Sequence, residues 1–274
     1  MSTTIDQAFI QQYDTDLHLA YQQHGSKLRD FVRKKSGVSG EKVTFQKYGK
    51  GEATQKTRHG AITPMNPVHT KVAVTLEDWY AGDYVDKLDE YKVNIDERQA
   101  ILSTGAGALG RKVDAQLIAA AYTSTNIINQ ATNTFSLDVL FAGIEAMLGA
   151  DVFEGADFDV TVVLKTKQWL ALHKIDEFKS ADYRKQNGQM DMKIAGVKQF
   201  MGMNFVHSNL LATATGVSDC IIFDKRSLGL GEAKGTETDI WWNGEKASHF
   251  VNSMMSSGAV LVDALGCGIL KVKD

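Results

Sequence analysis

Residues 95–122 read IDERQAILSTGAGALGRKVDAQLIAAAY, and their apolar positions decide the fold. Ile101, Leu109, Val113 and Leu117 recur at helical spacing and form one stripe. Arg98, Arg111, Lys112 and Asp114 fall away from it. Asn94 is placed to cap the first turn, where Asp96 and Glu97 favour the helix dipole. Ala119, Ala120 and Ala121 have the highest helix propensity available, and no proline interrupts the run. One helix over 95–122 would be about 40 Å long, the width of a domain. Such a helix acts as a spine across which other elements pack.

The same stretch contains Gly105-Ala-Gly107-Ala-Leu-Gly110, a literal G-x-G-x-x-G. A dinucleotide site of that type needs a strand just before it, a helix opening at it and an acid about 20 residues on. Here the preceding residues are themselves helical in pattern, and residue 130 is Gln. An NAD-binding cytosolic enzyme built on Gly105–Gly110 is therefore only the rival reading. The favoured one places Gly105, Gly107 and Gly110 mid-helix against closely packed strands.

The chain has 274 residues, 43% hydrophobic and 23% charged, enough for a sizeable core in two lobes. A net charge of −3 argues against a dedicated nucleic-acid or membrane-surface protein. Cys220 and Cys267 have no metal-ligand spacing and read as core thiols of a reducing compartment. The start, MSTTIDQAF, lacks the basic and apolar regions of a signal peptide. No apolar run reaches the roughly 18 residues that would span a membrane.

Outward from the spine, the charge is unevenly spread. Residues 4–24 form an amphipathic helical pattern (Ile5, Phe9, Tyr13, Leu17, Tyr21) that Gly25 ends. KVTFQKYGK and HTKVAVTLE alternate as strands around a polar loop, residues 49–67, which makes an extended β-arm. A loop that long in a compact domain is usually functional. Lys27 to Lys71 is strongly basic; Ala73 to Glu97 is strongly acidic, with Glu77, Asp78, Asp83, Asp86, Asp89, Glu90, Asp96 and Glu97 against Lys87 and Lys92. That reversal suits a basic arm of one copy over the acidic segment of the next. The contact candidates are Lys47, Lys50, Lys56 and Arg58 on the arm, and Glu77, Asp78, Asp83 and Asp86 opposite. The acids lack the glycine and spacing of an EF-hand, so no metal is assigned.

After the spine, residues 124–134 read as a polar linker, and Ser136 as the cap of a helix over LDVLFAGIEAMLGA. FDVTVVLK is a buried-type strand and KQWLALHKI a helical segment. Residues 176–191 form a polar, exposed loop. KIAGVKQFMGMNFVHSN, DCIIFDK, ETDIWW, KASHFVNS and GAVLVDALGCGILKVKD are strands that return to something already built. The class is α+β. Of Trp241 and Trp242, alternation puts one in a core and the other toward solvent or a partner. No nucleophile elbow, Walker motif, H-E-x-x-H or C-x-x-C is present. No catalytic, cofactor-binding or metal residue is assigned.

The order of these parts, with GSKLR at 25–29, FQKYGKG at 45–51, TRHG at 57–60, TLEDWYAGDYVDKLDE at 75–90, ALGRKVD at 108–114 and the closing GAVLVDALGCGILKVKD, resembles the major capsid proteins of tailed double-stranded-DNA phages, which share the Hong Kong 97-type fold. The resemblance implies an N-terminal arm (1–41), an extended β-loop (42–76), a peripheral domain (77–133 and 250–274) and an axial domain (134–249). It implies a self-assembling icosahedral virus head made of pentamers and hexamers in the virion, assembled in the bacterial host cytoplasm. Expected partners are a separate scaffolding protein, a portal, a possible decoration protein and non-specifically held DNA. An encapsulin-like bacterial compartment shell is the alternative with the same fold.

Overall fold

The computed structural model describes residues 22–23, 25–90, 97–152, 159–175 and 198–274. The expected helix at 4–24, save Gln22 and Gln23, which are not helical, the Asn94 cap and the polar loop at 176–191 lie outside the described residues. In chain order the strands and helices are β1 (Arg33–Ser36), β2 (Lys42–Tyr48), β3 (His69–Thr75), β4 (Glu77–Asp86), α1 (Lys87–Glu90), α2 (Glu97–Ala121), β5 (Ile127–Thr134), α3 (Leu137–Leu148), β6 (Val160–Leu164), α4 (Thr166–Leu172), β7 (Lys198–Phe200), β8 (Met203–His207), β9 (Thr213–Ala214), β10 (Val217–Asp224), β11 (Leu228–Asn243), β12 (Ser248–Leu261) and β13 (Cys267–Lys273).

The spine is α2, with 25 residues. Leu109, Val113 and Leu117 are buried as the stripe requires, whereas Ile101 is half-buried. Gly105–Gly110 lies inside the helix, not at its opening, so no strand-to-helix turn is available to hold a pyrophosphate. This removes the basis of the dinucleotide reading. A Cβ on Gly105 would sit 3.1 Å from the Ala81 carbonyl oxygen and 3.1 Å from Ser253 Oγ, so strands β4 and β12 do press on it. Gly110 meets a different neighbour. A Cβ there would lie 2.3 Å from the Gly25 carbonyl carbon, so what it admits is the N-terminal connection, not a strand.

The spine joins two sheets. Four strands run in the order β1-β11-β12-β4 and seven in a second sheet, β5-β13-β10-β6-β8-β7 with β9 on β10. One apolar cluster holds Leu109, Val113, Leu117 and Ile118 of α2 with Leu230 and Met255 of the first sheet and Val163, Val206, Ile221 and Phe223 of the second. The opposite face of the seven-stranded sheet is closed by α3 and α4. Val139, Leu140, Met147, Trp169 and Leu172 pack there on Val160, Val162, Leu164, Phe205 and Ile222. Alternate residues of β6 thus feed two cores, which is why all five are buried.

Several expectations need correction. Residues 127–134 are strand β5, parallel to β13, and not a linker. Their polar side chains concealed a strand whose backbone is paired. The acidic segment 77–86 is strand β4, antiparallel to β12. Its alternation of Trp79, Ala81 and Val85 is diluted by acids on the exposed side. Ser136 occupies the N-cap position of α3, but its side chain makes no capping bond; its carbonyl accepts from the Leu140 N–H. A boundary at 249/250 would cut the β11–β12 hairpin, and β13 belongs with the seven-stranded sheet.

The arm β2–β3 lies by its base on the four-stranded sheet. Val43 and Phe45 are buried against Val260 and Val262. Glycines make this approach possible. A Cβ on Gly229 would be 2.8 Å from the Phe45 ring, and one on Gly231 2.7 Å from Val43.

Candidate assembly surfaces

Beyond its paired strands the arm continues as a narrow finger. Gly49 N–H donates to the Val68 carbonyl, Thr54 Oγ1 to the Thr63 carbonyl and Gly60 N–H to the Thr57 carbonyl. The two limbs therefore run side by side to a turn at 57–60. Lys56 and Arg58 are exposed at this tip, and Ile62, Met65 and Val68 are exposed along one limb. An apolar, cationic finger that the described residues leave uncovered suits contact with another molecule.

Lys47 and Lys50 are placed differently. Lys47 Nζ stands 2.7 Å from Asp263 Oδ2, and Lys50 Nζ pairs with Asp151 Oδ2 at 2.5 Å. Both pairs are within the chain and lie where the finger leaves its base. Glu77, Asp78, Asp83 and Asp86 all lie on β4, the edge of the four-stranded sheet, and are exposed. Asp83 Oδ1 accepts from the Tyr84 N–H, and Asp86 Oδ1 accepts from the Leu88 N–H. Acids along an edge also prevent unwanted strand addition. The structure does not bring Lys56 or Arg58 onto these acids within one chain.

The sequence reading missed a third feature. Asp114, expected away from the apolar stripe, is only 1% exposed. Its carboxylate accepts from Ser26 Oγ, Gln23 Nε2 and the backbone N–H groups of Lys27 and Leu28. Arg111 Nη1 donates to Gln22 Oε1 and the Gln23 carbonyl. The N-terminal connection is thereby latched to the middle of the spine, beside Gly110. The signal was present: residues 110 and 114 are one helical turn apart and share a face. A gap and an acceptor on one face mark a site for another backbone.

Both cysteines are buried, and burial pushes their thiols up to about 12. Tyr122 is likewise raised to about 12 by burial; its hydroxyl accepts from the Ala212 N–H and donates to the Asp219 carbonyl. Among the described residues no group of three His, Cys, Asp or Glu side chains is arranged to hold a metal, and no helix is long and apolar enough to cross a membrane.

The family model described as phage capsid protein matches residues 5–274. No curated protein matches the sequence. Solved structures do. A chain from Mycobacterium phage Che8 is similar at 16% identity, with a TM-score of 0.72 and 95% of this chain and 96% of that one covered. The capsid of cyanophage P-SCSP1u gives 15% identity and a TM-score of 0.74, over 100% of this chain and 96% of that one. The capsid of a native GTA particle gives 12% identity and a TM-score of 0.72, over 97% and 96%. At these identities the likeness is one of fold.

Proposed function

Since this chain belongs to the phage capsid protein family and is a major capsid protein of the Hong Kong 97-type fold, we propose that its copies close into an icosahedral head around packaged double-stranded DNA through the arm and the acidic edge strand. The finger of one copy lies over β4 of the next. Lys56 and Arg58 face Asp78, Asp83 and Asp86, while Ile62, Met65 and Val68 bury apolar area. Lys47 and Lys50 act at home, aiming the finger. The observation that carries this reading is the finger itself, exposed along most of its length among the described residues and seated by its base on the four-stranded sheet.

The seven-stranded lobe takes the axial place, about five-fold and six-fold axes. The spine with the four-stranded sheet takes the peripheral one. The role is structural and not catalytic. A separate scaffolding protein, a portal and a decoration protein complete the list of partners, and assembly occurs in the host cytoplasm. Contact with DNA is non-specific, since the chain as a whole carries a net negative charge.

Electron microscopy of the expressed protein tests the shell: closed particles support it, and a small monodisperse oligomer would overturn it. K56E/R58E tests the charge contact. The variant is expected to keep the wild-type circular dichroism melt and to lose closed particles. Normal shells from it would exclude the pairing of finger and edge strand.

A further inference from the structure

His207 is the last residue of β8 and points to the α4 side of the seven-stranded sheet. Strand alternation sets this, since Met203 and Phe205, of the same parity, pack there with Trp169 and Leu172. The His207 and Trp169 ring centroids are 6.0 Å apart. Trp169 is 3% exposed, whereas Trp241 and Trp242, of which alternation put one in a core, are 43% and 46% exposed. His207 Nε2 stands 3.1 Å from Oγ1 of Thr166, the first residue of α4. Thr166 Oγ1 in turn donates to Asn209 Oδ1 at 2.7 Å. A hydroxyl has one proton, so Thr166 accepts from His207, and the neutral ring carries its proton on Nε2. A second proton goes to Nδ1 and makes the ring a cation.

The same residue receives the N-terminal connection. Lys27 Nζ donates to the His207 carbonyl oxygen at 3.0 Å, while the Lys27 backbone N–H donates to Asp114 on the spine. One residue thus ties the connection to the spine by its backbone and to the seven-stranded sheet by its side chain. The Lys27 ammonium is the charge that faces the ring. From α4 the ring meets Thr166 and Trp169, both neutral. Lys165 Nζ turns away to the Leu211 carbonyl and Thr213, and Lys167 Nζ to Asp274. The continuation of β8 brings Asn209, and β6 brings Leu164 in register. Among the described residues no carboxylate pairs with this ring. Burial and the Lys27 ammonium hold the imidazole below its ordinary value of 6.5, and the bond to Asn209 acts the other way.

We propose that His207 is an acid-sensitive catch on the N-terminal connection: a neutral ring lets Lys27 dock on β8, and a protonated ring repels the Lys27 ammonium and frees the connection from the seven-stranded sheet. Asp114 still holds the connection on the spine, so the release is partial and reversible. The folded chain favours the neutral ring, so the stability this contact contributes is complete above pH 6.5 and is lost as pH falls below it. The catch works within one chain and stands or falls apart from the shell reading.

The test compares the full wild-type chain with H207Q and K27M. In an imidazole NMR titration, the His207 signal is the one that H207Q removes. It is expected to titrate below pH 6.5 in the wild type and to move upward in K27M. Backbone hydrogen exchange over residues 25–30, corrected for the intrinsic pH dependence of exchange, is the second readout. It is expected to speed up at least about three-fold from about pH 7.5 to about pH 5 in the wild type, and to stay flat in H207Q. Exchange over spine residues 107–118 is expected to stay unchanged in both. The same acid loosening in H207Q, or a His207 titration at or above pH 6.5, would overturn the catch. Should H207Q fail to fold, K27M decides, since it replaces only an exposed ammonium. Its residues 25–30 should exchange fast at both pH values, and a wild-type pH dependence kept in K27M would overturn the catch as well.

Discussion

The two sheets are built on opposite terms. In the seven-stranded sheet, every residue of β6 is buried, and helices or the spine close both faces. In the four-stranded sheet, β4 is mostly exposed, and the distal half of β11 has little cover. The first sheet completes its core within one chain. The second completes the face on the spine, takes the base of the arm on part of the other face, and leaves its distal end and edge open. The same helix serves both, so the difference lies in what the strands bury. A chain that must be stable alone and sticky in company can divide the two tasks between two sheets.

The contrast breaks most sharply under a buried charge. Val163→Asp puts a carboxylate between β10 and β8 in the completed core and is expected to cost more than about 4 kcal/mol, leaving no soluble folded protein. Tyr80→Asp, at a position 68% exposed on the open sheet, is expected to stay within about 0.5 kcal/mol in a thermal melt. Comparable losses from the two would erase the distinction. Between these extremes stands the latch. Asp114→Ala leaves the Lys27 and Leu28 N–H groups without their acceptor and is expected to cost about 1–3 kcal/mol. Limited proteolysis should then cut between residues 22 and 30 while the seven-stranded core stays intact.

The smallest effect sharpens the comparison from the chemical side. Cys220 and Cys267 sit in neighbouring strands of the completed sheet, with thiols raised by burial from 9.0 to about 12. At pH 8 about one thiol in ten thousand would be ionised, so both should resist a disulfide reagent until the fold is opened. The sign follows from linkage. A folded-state value above the unfolded one gives stability that is complete below pH 9 and declines as pH rises toward 12. C220A/C267A should flatten that alkaline decline in melts taken across the range.

Legibility in the sequence followed the same divide. The spine was readable because Leu109, Val113 and Leu117 bury one side of a helix, and β6 because VTVVL is apolar at every position but Thr161. β5 was not, since Ile127–Thr134 carries polar side chains and owes its place to backbone pairing with β13. β4 was hidden by the acids that keep its edge open. β11 and β12 read as separate short strands because bulges near Glu232 and Lys234 interrupt one long ladder. Asp114 escaped notice for a different reason. A buried carboxylate looks like a surface one until the donors that surround it, 86 to 91 residues away in sequence, are in place.

The glycines beneath the arm set a mechanical property. Gly229 and Gly231 lack the atoms that would lift Phe45 and Val43 off the sheet, so the two side chains sit like teeth in a slot. The slot is a fulcrum. From there to the turn at 57–60 the arm covers about 40 Å if extended, at about 3.3 Å per residue. A tilt of about 5° at the base therefore sweeps the tip through roughly 3 Å, more than the difference between a made and a lost hydrogen bond. Bending the shell by a small angle between neighbours is thus registered, amplified, at the far end of each lever.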